Sequence, residues 1–264
     1  MNQARMWDDT VDSEKGNMKE MGFLDHLEEL RWRLLKILFS IILFTILSFL
    51  LSDFFIELLL KPAKLLQPDM KLQVLKVQGM LMLKFGVALV MGIAVSIPVL
   101  AYQFWAFIAP GLYPDEKRWG PWLVISVSFF FIVGVAFAYY VLAPFAIKFL
   151  TAIGSPDVEK NISINYYAKF VLQLLVASGV LFLMPIASFL LTKMGLLTPA
   201  FLRKSWRYAI IIILILAAFI TPPDPVSMLL MGIPLLFLYE FSIVVSRIAI
   251  RKEERKSEER ELQG

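Results

Sequence analysis

Long apolar runs separated by short charged segments dominate the chain. The apolar positions do not alternate with polar ones, as they would in a membrane β-barrel, but continue around all sides of each run. Several runs approach or exceed about 20 residues, which a helix needs to cross a hydrocarbon core about 30 Å thick. The pattern predicts an all-α integral membrane protein with six spans, near residues 34–51, 80–102, 121–143, 170–191, 208–220 and 226–246.

Two features of these runs predict an irregular bundle. The fifth run, residues 208–220, has 13 residues and reaches only about 20 Å as a helix. Either the bilayer is thinner there or neighbouring helices cover its ends. Prolines occur within or near three other spans, at Pro98, Pro185 and Pro234, and each removes a backbone donor and can kink its helix. We therefore expect a curved, glove-shaped bundle with a concave face.

The spans divide the chain into an N-terminal arm (residues 1–33), a transmembrane domain (residues 34–246) and a charged tail (residues 247–264). Apolar residues of the arm recur at helical spacing up to the first span: Phe23, Leu27, Leu30 and Leu34. This spacing predicts an amphipathic helix that runs into the first span. The tail interleaves Lys, Arg and Glu, which is typical of a solvated helix end that fades into disorder.

Charge and composition support a membrane location and indicate an orientation. With 59% hydrophobic residues and a mean hydropathy of +0.72, most of the chain needs lipid as its solvent. Every arginine lies in the arm, the second connector, the fourth connector or the tail. The positive-inside rule then predicts that both termini are cytoplasmic, and the net charge of +4 reports this topology rather than nucleic-acid binding. Since no plastid targeting segment precedes the arm, we expect a bacterial or archaeal inner (plasma) membrane.

The residue inventory disfavours an enzyme. The chain has no cysteine and a single histidine, His26, so a disulfide framework, a thiol nucleophile and a Cys/His zinc cluster are excluded. We find no glycine-rich phosphate loop, no nucleophile elbow and no zinc-protease motif. The sequence therefore predicts no catalytic residues, no metal site and no cofactor.

Two charged clusters lie on the predicted cytoplasmic side. The first, residues 23–35, contains Glu29 and Arg33 at i,i+4 spacing, and such pairs are usually solvated and worth about 0.3–0.5 kcal/mol. The second, residues 102–118, is rich in aromatic residues and proline and ends in charges, which is also typical of an interfacial aromatic belt and a turn. Each cluster offers a carboxylate beside apolar side chains, an arrangement suited to a cationic segment followed by an apolar one.

Four motifs resemble the TatC family, in the family's order and spacing, over roughly residues 23–247. They are residues 26–31 (HLEELR), 102–113 (YQFWAFIAPGLY), 136–139 (AFAY) and 221–224 (TPPD). The resemblance implies a six-helix membrane protein that binds the twin-arginine signal peptides of folded proteins. It also implies that TatA-type subunits are recruited and that export is driven by the proton-motive force.

The resemblance also implies which residues act. Glu29 and Glu116 occupy the positions of the carboxylates that meet the substrate's arginine pair, with Arg31 and Phe107 beside them. A guanidinium presents a planar fork of donors that a carboxylate accepts bidentately and that lysine cannot reproduce.

Other positions are implied in insertion or partner contacts: Pro62, Tyr139 and Asp224. For Tyr139 an interface anchor is an equally good interpretation, and for Asp224 an ordinary turn residue. The implied partners are a TatA-type subunit, TatB or a bifunctional TatA, further copies of the chain, and membrane lipids.

One departure from the family keeps an alternative open. Relatives often carry Glu or Gln in the fourth span where this chain has Leu183, so a buried polar site cannot be assigned there. Glu240 is the clearest carboxylate at membrane depth, either a structural group near the cytoplasmic interface or a proton carrier. The alternative function is a proton-coupled secondary transporter of a small solute. Leu183 and the absence of a visible internal repeat count against it.

Overall fold

Helices account for nearly all of the chain that the computed structural model describes, which is residues 23–66, 71–111, 118–152, 161–221 and 225–263. The α-helices are α1 (Phe23–Leu50), α2 (Ser52–Leu66), α3 (Gly79–Ile108), α4 (Gly120–Phe137), α5 (Ala143–Ala152), α6 (Ile164–Leu181), α7 (Met184–Lys193), α8 (Pro199–Lys204), α9 (Trp206–Ile220) and α10 (Pro225–Gln263). A 3₁₀ turn, Ala109–Gly111, follows α3, and a π-helix, Ala138–Leu142, joins α4 to α5.

Within the described residues, five helical stretches are long and apolar enough to cross a membrane: His26–Leu50, Gly79–Ile108, Gly120–Ala152, Ile164–Lys193 and Met228–Ile250. The sixth predicted span is the shorter apolar helix α9. The prediction of an all-α multispan protein with a short fifth span is confirmed. The tail continues α10 as a helix to Gln263, and the arm from Phe23 onward is continuous with the first span.

The helices extend beyond the apolar runs. The third span is predicted to end at residue 143, and helical structure continues past this point through the π-helix and α5 to Ala152. The fourth is predicted to begin at residue 170, and its helix α6 already begins at Ile164. Hydropathy marks only the part of a helix that lies in lipid, whereas backbone hydrogen bonding continues through polar turns such as Asn165 to Lys169.

The three prolines differ in their effect. Pro98 and Pro234 lie inside continuous helices. The fourth span breaks at Phe182 and Leu183, and Pro185 lies in the first turn of α7. A first-turn proline is tolerated because its missing N–H would have no helical acceptor. The expected interruption is therefore found at Pro185.

A small capping layer lies at one end of the bundle. It contains α2 and a two-stranded parallel sheet, in which β1 (Lys71–Gln73) pairs with β2 (Asn161–Ser163). An ion pair between Lys84 Nζ and Asp53 Oδ1, 2.7 Å apart, ties α2 to α3. The strands are not predictable from the sequence, because three residues carry no detectable alternation.

Small residues allow the long helices to approach closely. A Cβ added to Gly92 of α3 would lie 2.6 Å from the backbone N and Cα of Thr45 on α1. A Cβ on Gly134 of α4 would lie 2.6 Å from the carbonyl oxygen of Ser178 on α6. Because lipid tails are as apolar as the side chains, such van der Waals contact, rather than escape from water, holds membrane helices together. The centre of the core is the buried face of α6, which includes Val171 and Leu174.

Candidate functional site

Glu29 and Arg33 form a half-buried ion pair on the first turns of α1. Arg33 Nε donates a hydrogen bond to Glu29 Oε1 at 3.0 Å, and Arg33 Nη2 donates to the same oxygen. The two side chains are only 19% and 20% exposed. The solvated pair suggested by the i,i+4 spacing is therefore not what the structure shows. Helix α3 covers one side, where Arg33 Nη1 donates to Oε1 of the buried Gln103 at 3.5 Å.

The second carboxylate oxygen of Glu29 is in a different situation. Oε2 is buried and has no hydrogen-bond donor among the described residues. His26 Nδ1 lies 3.7 Å from it, which is beyond hydrogen-bonding distance. A buried charged acceptor without a donor is costly, so such groups are rare outside sites that receive a ligand. Oε2 therefore lacks a donor of the kind that water or a ligand can supply.

Phe107 joins this site through His26. The two rings are stacked, with centroids 4.3 Å apart and planes inclined by 16°. The His26 side chain is 44% exposed, so the ring surface is only partly covered. Two residues implied by the resemblance, Glu29 and Phe107, thus lie at one end of α1 and α3, and each is next to His26.

Of the other residues predicted to bind the signal peptide, Arg31 does not join this contact network. Arg31 is exposed on α1 and forms no ion pair with any described residue. Glu116 lies outside the described residues, and so does Asp224.

Pro62 and Tyr139 meet in the capping layer. Pro62 is buried inside α2, and because it has no N–H it leaves the carbonyl of Leu58 without its helical donor. The Tyr139 hydroxyl donates to this carbonyl oxygen at 2.8 Å. Tyr139 is therefore more than an interface anchor, since it replaces a hydrogen bond that the proline removes.

A second tyrosine contacts the same turn of α2. The Tyr167 hydroxyl donates to the carbonyl oxygen of Leu59 at 3.0 Å and lies against the backbone N–H of Ala63. Side chains inserted into a helix ladder are a recognised cause of bending. No spacing in the sequence links Tyr167 to α2, so its role is visible only in the fold.

We expect Tyr139→Phe to lower the stability of the protein by about 0.5–1.5 kcal/mol, because the Leu58 carbonyl would lose its donor. In a Pro62→Ala background the substituted alanine brings a backbone N–H that can bond this carbonyl, so the same change at Tyr139 should cost much less. The measurement is thermal unfolding in detergent for the single and double variants. Tyr140→Phe, at an exposed neighbouring position, is the matched control. Equal losses from Tyr139→Phe in both backgrounds would contradict the assignment.

Leu183 and Glu240 occupy contrasting positions. Leu183 lies at the break between α6 and α7 and lines an apolar groove of about 440 Å³ together with Ile97, Phe104 and Val127. Glu240 is exposed on α10, whereas the neighbouring Tyr239 is buried and donates to the carbonyl oxygen of Leu202 at 2.6 Å. Packing inside the bundle therefore does not hold the Glu240 carboxylate.

A family profile and individual relatives identify the same family for this chain. The sequence profile of the family described as "Sec-independent protein translocase protein (TatC)" matches residues 25–234. The chain is 37% identical over 241 residues to the Sec-independent protein translocase protein TatCy of Bacillus subtilis, covering 91% of this chain and 94% of the relative. It is 39% identical over 229 residues to TatC of Deinococcus radiodurans, covering 85% of each.

A solved crystal structure has the same fold as this chain. The crystal structure of the twin-arginine translocase receptor TatC superposes with a TM-score of 0.77 at 36% identity, covering 85% of this chain and 99% of the solved one. The matched residues 25–234 include the helices that carry Glu29, Phe107, Pro62 and Tyr139. The chain belongs to the TatC family of Sec-independent protein translocase proteins.

Proposed function

We propose that this chain is the signal-peptide receptor and core scaffold of a twin-arginine translocase. The observation that carries the proposal is the buried Oε2 of Glu29, which has no donor among the described residues and lies beside the stacked His26 and Phe107 rings. A guanidinium supplies the N–H donors that such an oxygen accepts. The similar solved structure is described as a receptor, which agrees with this role.

The apolar part of a signal peptide also has a suitable surface. A groove of about 750 Å³ lies at the same end of α3 as Phe107 and is lined by aromatic, proline and aliphatic side chains, including Tyr102, Trp105, Pro110 and Pro121. Because an apolar segment follows the arginine pair in such peptides, charge at Glu29 and apolar contact in this groove together fit the substrate class. In this proposal Glu116 is the second carboxylate that meets the arginine pair, and Arg31 lies beside the two carboxylates.

The same proposal extends to partners. A translocase component acts with other subunits, and we propose a TatA-type subunit together with TatB, or a bifunctional TatA, as well as further copies of this chain. Pro62, Tyr139 and Asp224 are proposed to support insertion or partner contacts. Energy would come from the proton-motive force.

We further propose an inner or plasma membrane location with both termini cytoplasmic. The apolar helices support membrane insertion, and the confinement of arginine to the termini and to the second and fourth connectors supports the orientation. The relatives are protein translocases, so the alternative of a small-solute transporter is not favoured.

Photo-crosslinking tests the receptor function directly. A photoreactive residue at Leu30, exposed and next to Glu29, should label a twin-arginine precursor in membranes and should not label its twin-lysine form. The same probe at Leu65, exposed on α2 in the capping layer, is the matched control and should label neither. Equal labelling of both precursors from Leu30 would count against the receptor.

A further inference from the structure

Arg33 already occupies much of the Glu29 carboxylate. Two of its three side-chain nitrogens, Nε and Nη2, donate to Oε1. A fork-on-fork pair needs two parallel N–H···O bonds, one to each oxygen. An incoming guanidinium therefore cannot form that pair unless Arg33 leaves. In the arrangement described, Oε2 is the oxygen that carries no donor, and because it is buried, a ligand reaches it only if neighbouring groups move aside.

Acceptance by a single oxygen does not by itself distinguish arginine from lysine. Both side chains carry N–H donors and a positive charge, and either can donate one hydrogen bond to Oε2. A preference for arginine then requires a second contact that uses the planar shape of the guanidinium. Guanidinium groups stack on flat rings and are weakly hydrated, whereas an ammonium group is compact and strongly hydrated.

A flat ring lies beside Oε2. His26 Nδ1 is 3.7 Å from this oxygen, so a donor bound to Oε2 is brought next to the imidazole. Phe107 stacks on the ring at 4.3 Å and holds it in place, and the 44% exposure of His26 leaves ring surface open to a ligand.

We propose, resting on the receptor function proposed above, that His26 contacts the substrate arginine and sets the preference for arginine over lysine. The guanidinium donates an N–H to Glu29 Oε2 and stacks on the open surface of the His26 ring, which Phe107 supports. Arg33 is a positioning residue: by holding Oε1, and by donating to Gln103, it fixes the direction of Oε2.

The test compares two peptides on the purified full chain in detergent micelles or lipid nanodiscs. Fluorescent twin-arginine and twin-lysine signal peptides are titrated against wild type, His26→Leu, His26→Ala and His26→Phe. Loss of stacking at a partly exposed site corresponds to roughly a threefold to tenfold weaker affinity. His26→Leu and His26→Ala should weaken the twin-arginine peptide by that factor and leave the twin-lysine peptide unchanged. His26→Phe keeps a planar ring and should retain the preference.

The outcomes separate this proposal from the receptor function. An unchanged ratio of the two affinities in His26→Leu would overturn the role of His26, and so would a His26→Phe variant that behaves like His26→Leu. If His26→Ala does not fold, His26→Leu and His26→Phe still decide. If Glu29→Gln also leaves both affinities unchanged and the wild type does not discriminate, the receptor site itself is wrong.

Discussion

Glu29→Gln should weaken binding of a twin-arginine peptide by at least tenfold. Glutamine has the size of glutamate and its side-chain oxygen can still accept from Arg33, so the local fold is expected to persist. The substitution removes the negative charge and converts one acceptor into a donor. Hydrogen bonds to charged groups contribute about 1.5–3 kcal/mol, and each 1.4 kcal/mol is a factor of about ten in affinity. Fluorescence anisotropy of a labelled peptide against the purified chain measures the change.

The matched control is Glu28→Gln. Glu28 precedes Glu29 on the same helix and is exposed, so removing its charge should change affinity by less than about threefold, in line with the small energies of exposed ion pairs. A similar loss in both variants would indicate a diffuse electrostatic effect instead of a site at Glu29.

The second large effect is expected at Gly92. Replacing it with alanine would press a methyl group against Thr45 Oγ1 and place it 2.6 Å from the Thr45 backbone. Because the obstacle includes main chain, rotation of a side chain cannot relieve the clash, and α1 and α3 must separate. Overpacking of this kind costs about 1–3 kcal/mol, with the upper end expected here. Thermal unfolding of the purified protein in detergent should show a midpoint lower by several degrees.

Gly86 provides the control for this prediction. It lies on the same helix, and an added Cβ there meets nothing within 4 Å. Gly86→Ala should be neutral or slightly stabilising, since alanine is the better helix former by up to about 1 kcal/mol. If Gly92→Ala leaves the melting temperature where Gly86→Ala does, the close approach of the two helices does not limit stability.

The hydropathy of the chain predicts where helices cross the membrane but not where they end. Span centres follow from lipid contact, which the sequence reports directly. The extension of the third span to Ala152 and the break at Leu183 depend on backbone hydrogen bonds in polar or proline-containing turns. The pairing of β1 with β2 joins segments that lie far apart in the sequence, and no local pattern encodes it.

The candidate site, like the helices, was only partly predictable from the sequence. The resemblance pointed to Glu29 and Phe107, and the structure brings both to His26. The half-burial of Glu29 was not predictable, because it depends on α3, whose Gln103 is 70 residues from Arg33 in the chain. The glutamine within the aromatic run of residues 102–107 is a sequence signal of this contact.

The capping layer is a second case in which the sequence names the residues but not the contact between them. Pro62 and Tyr139 were named separately from the resemblance, and only the fold shows that one restores what the other removes. The two residues are 77 positions apart by their numbers, so no spacing rule links a missing N–H in one helix to a hydroxyl on another. The sequence therefore identified the participants but not their relation.

The continuity of α1 has a mechanical consequence. Glu29 and Thr45 lie on one unbroken helix, about 24 Å apart at about 1.5 Å per residue. The Glu29 end of this stretch is joined to α3 by the Arg33–Gln103 hydrogen bond, and the Thr45 end by the close contact with Gly92. Because the same helix holds both ends, α1 and α3 are expected to tilt as one rigid pair, and a displacement at the Glu29 end would carry α3 with it.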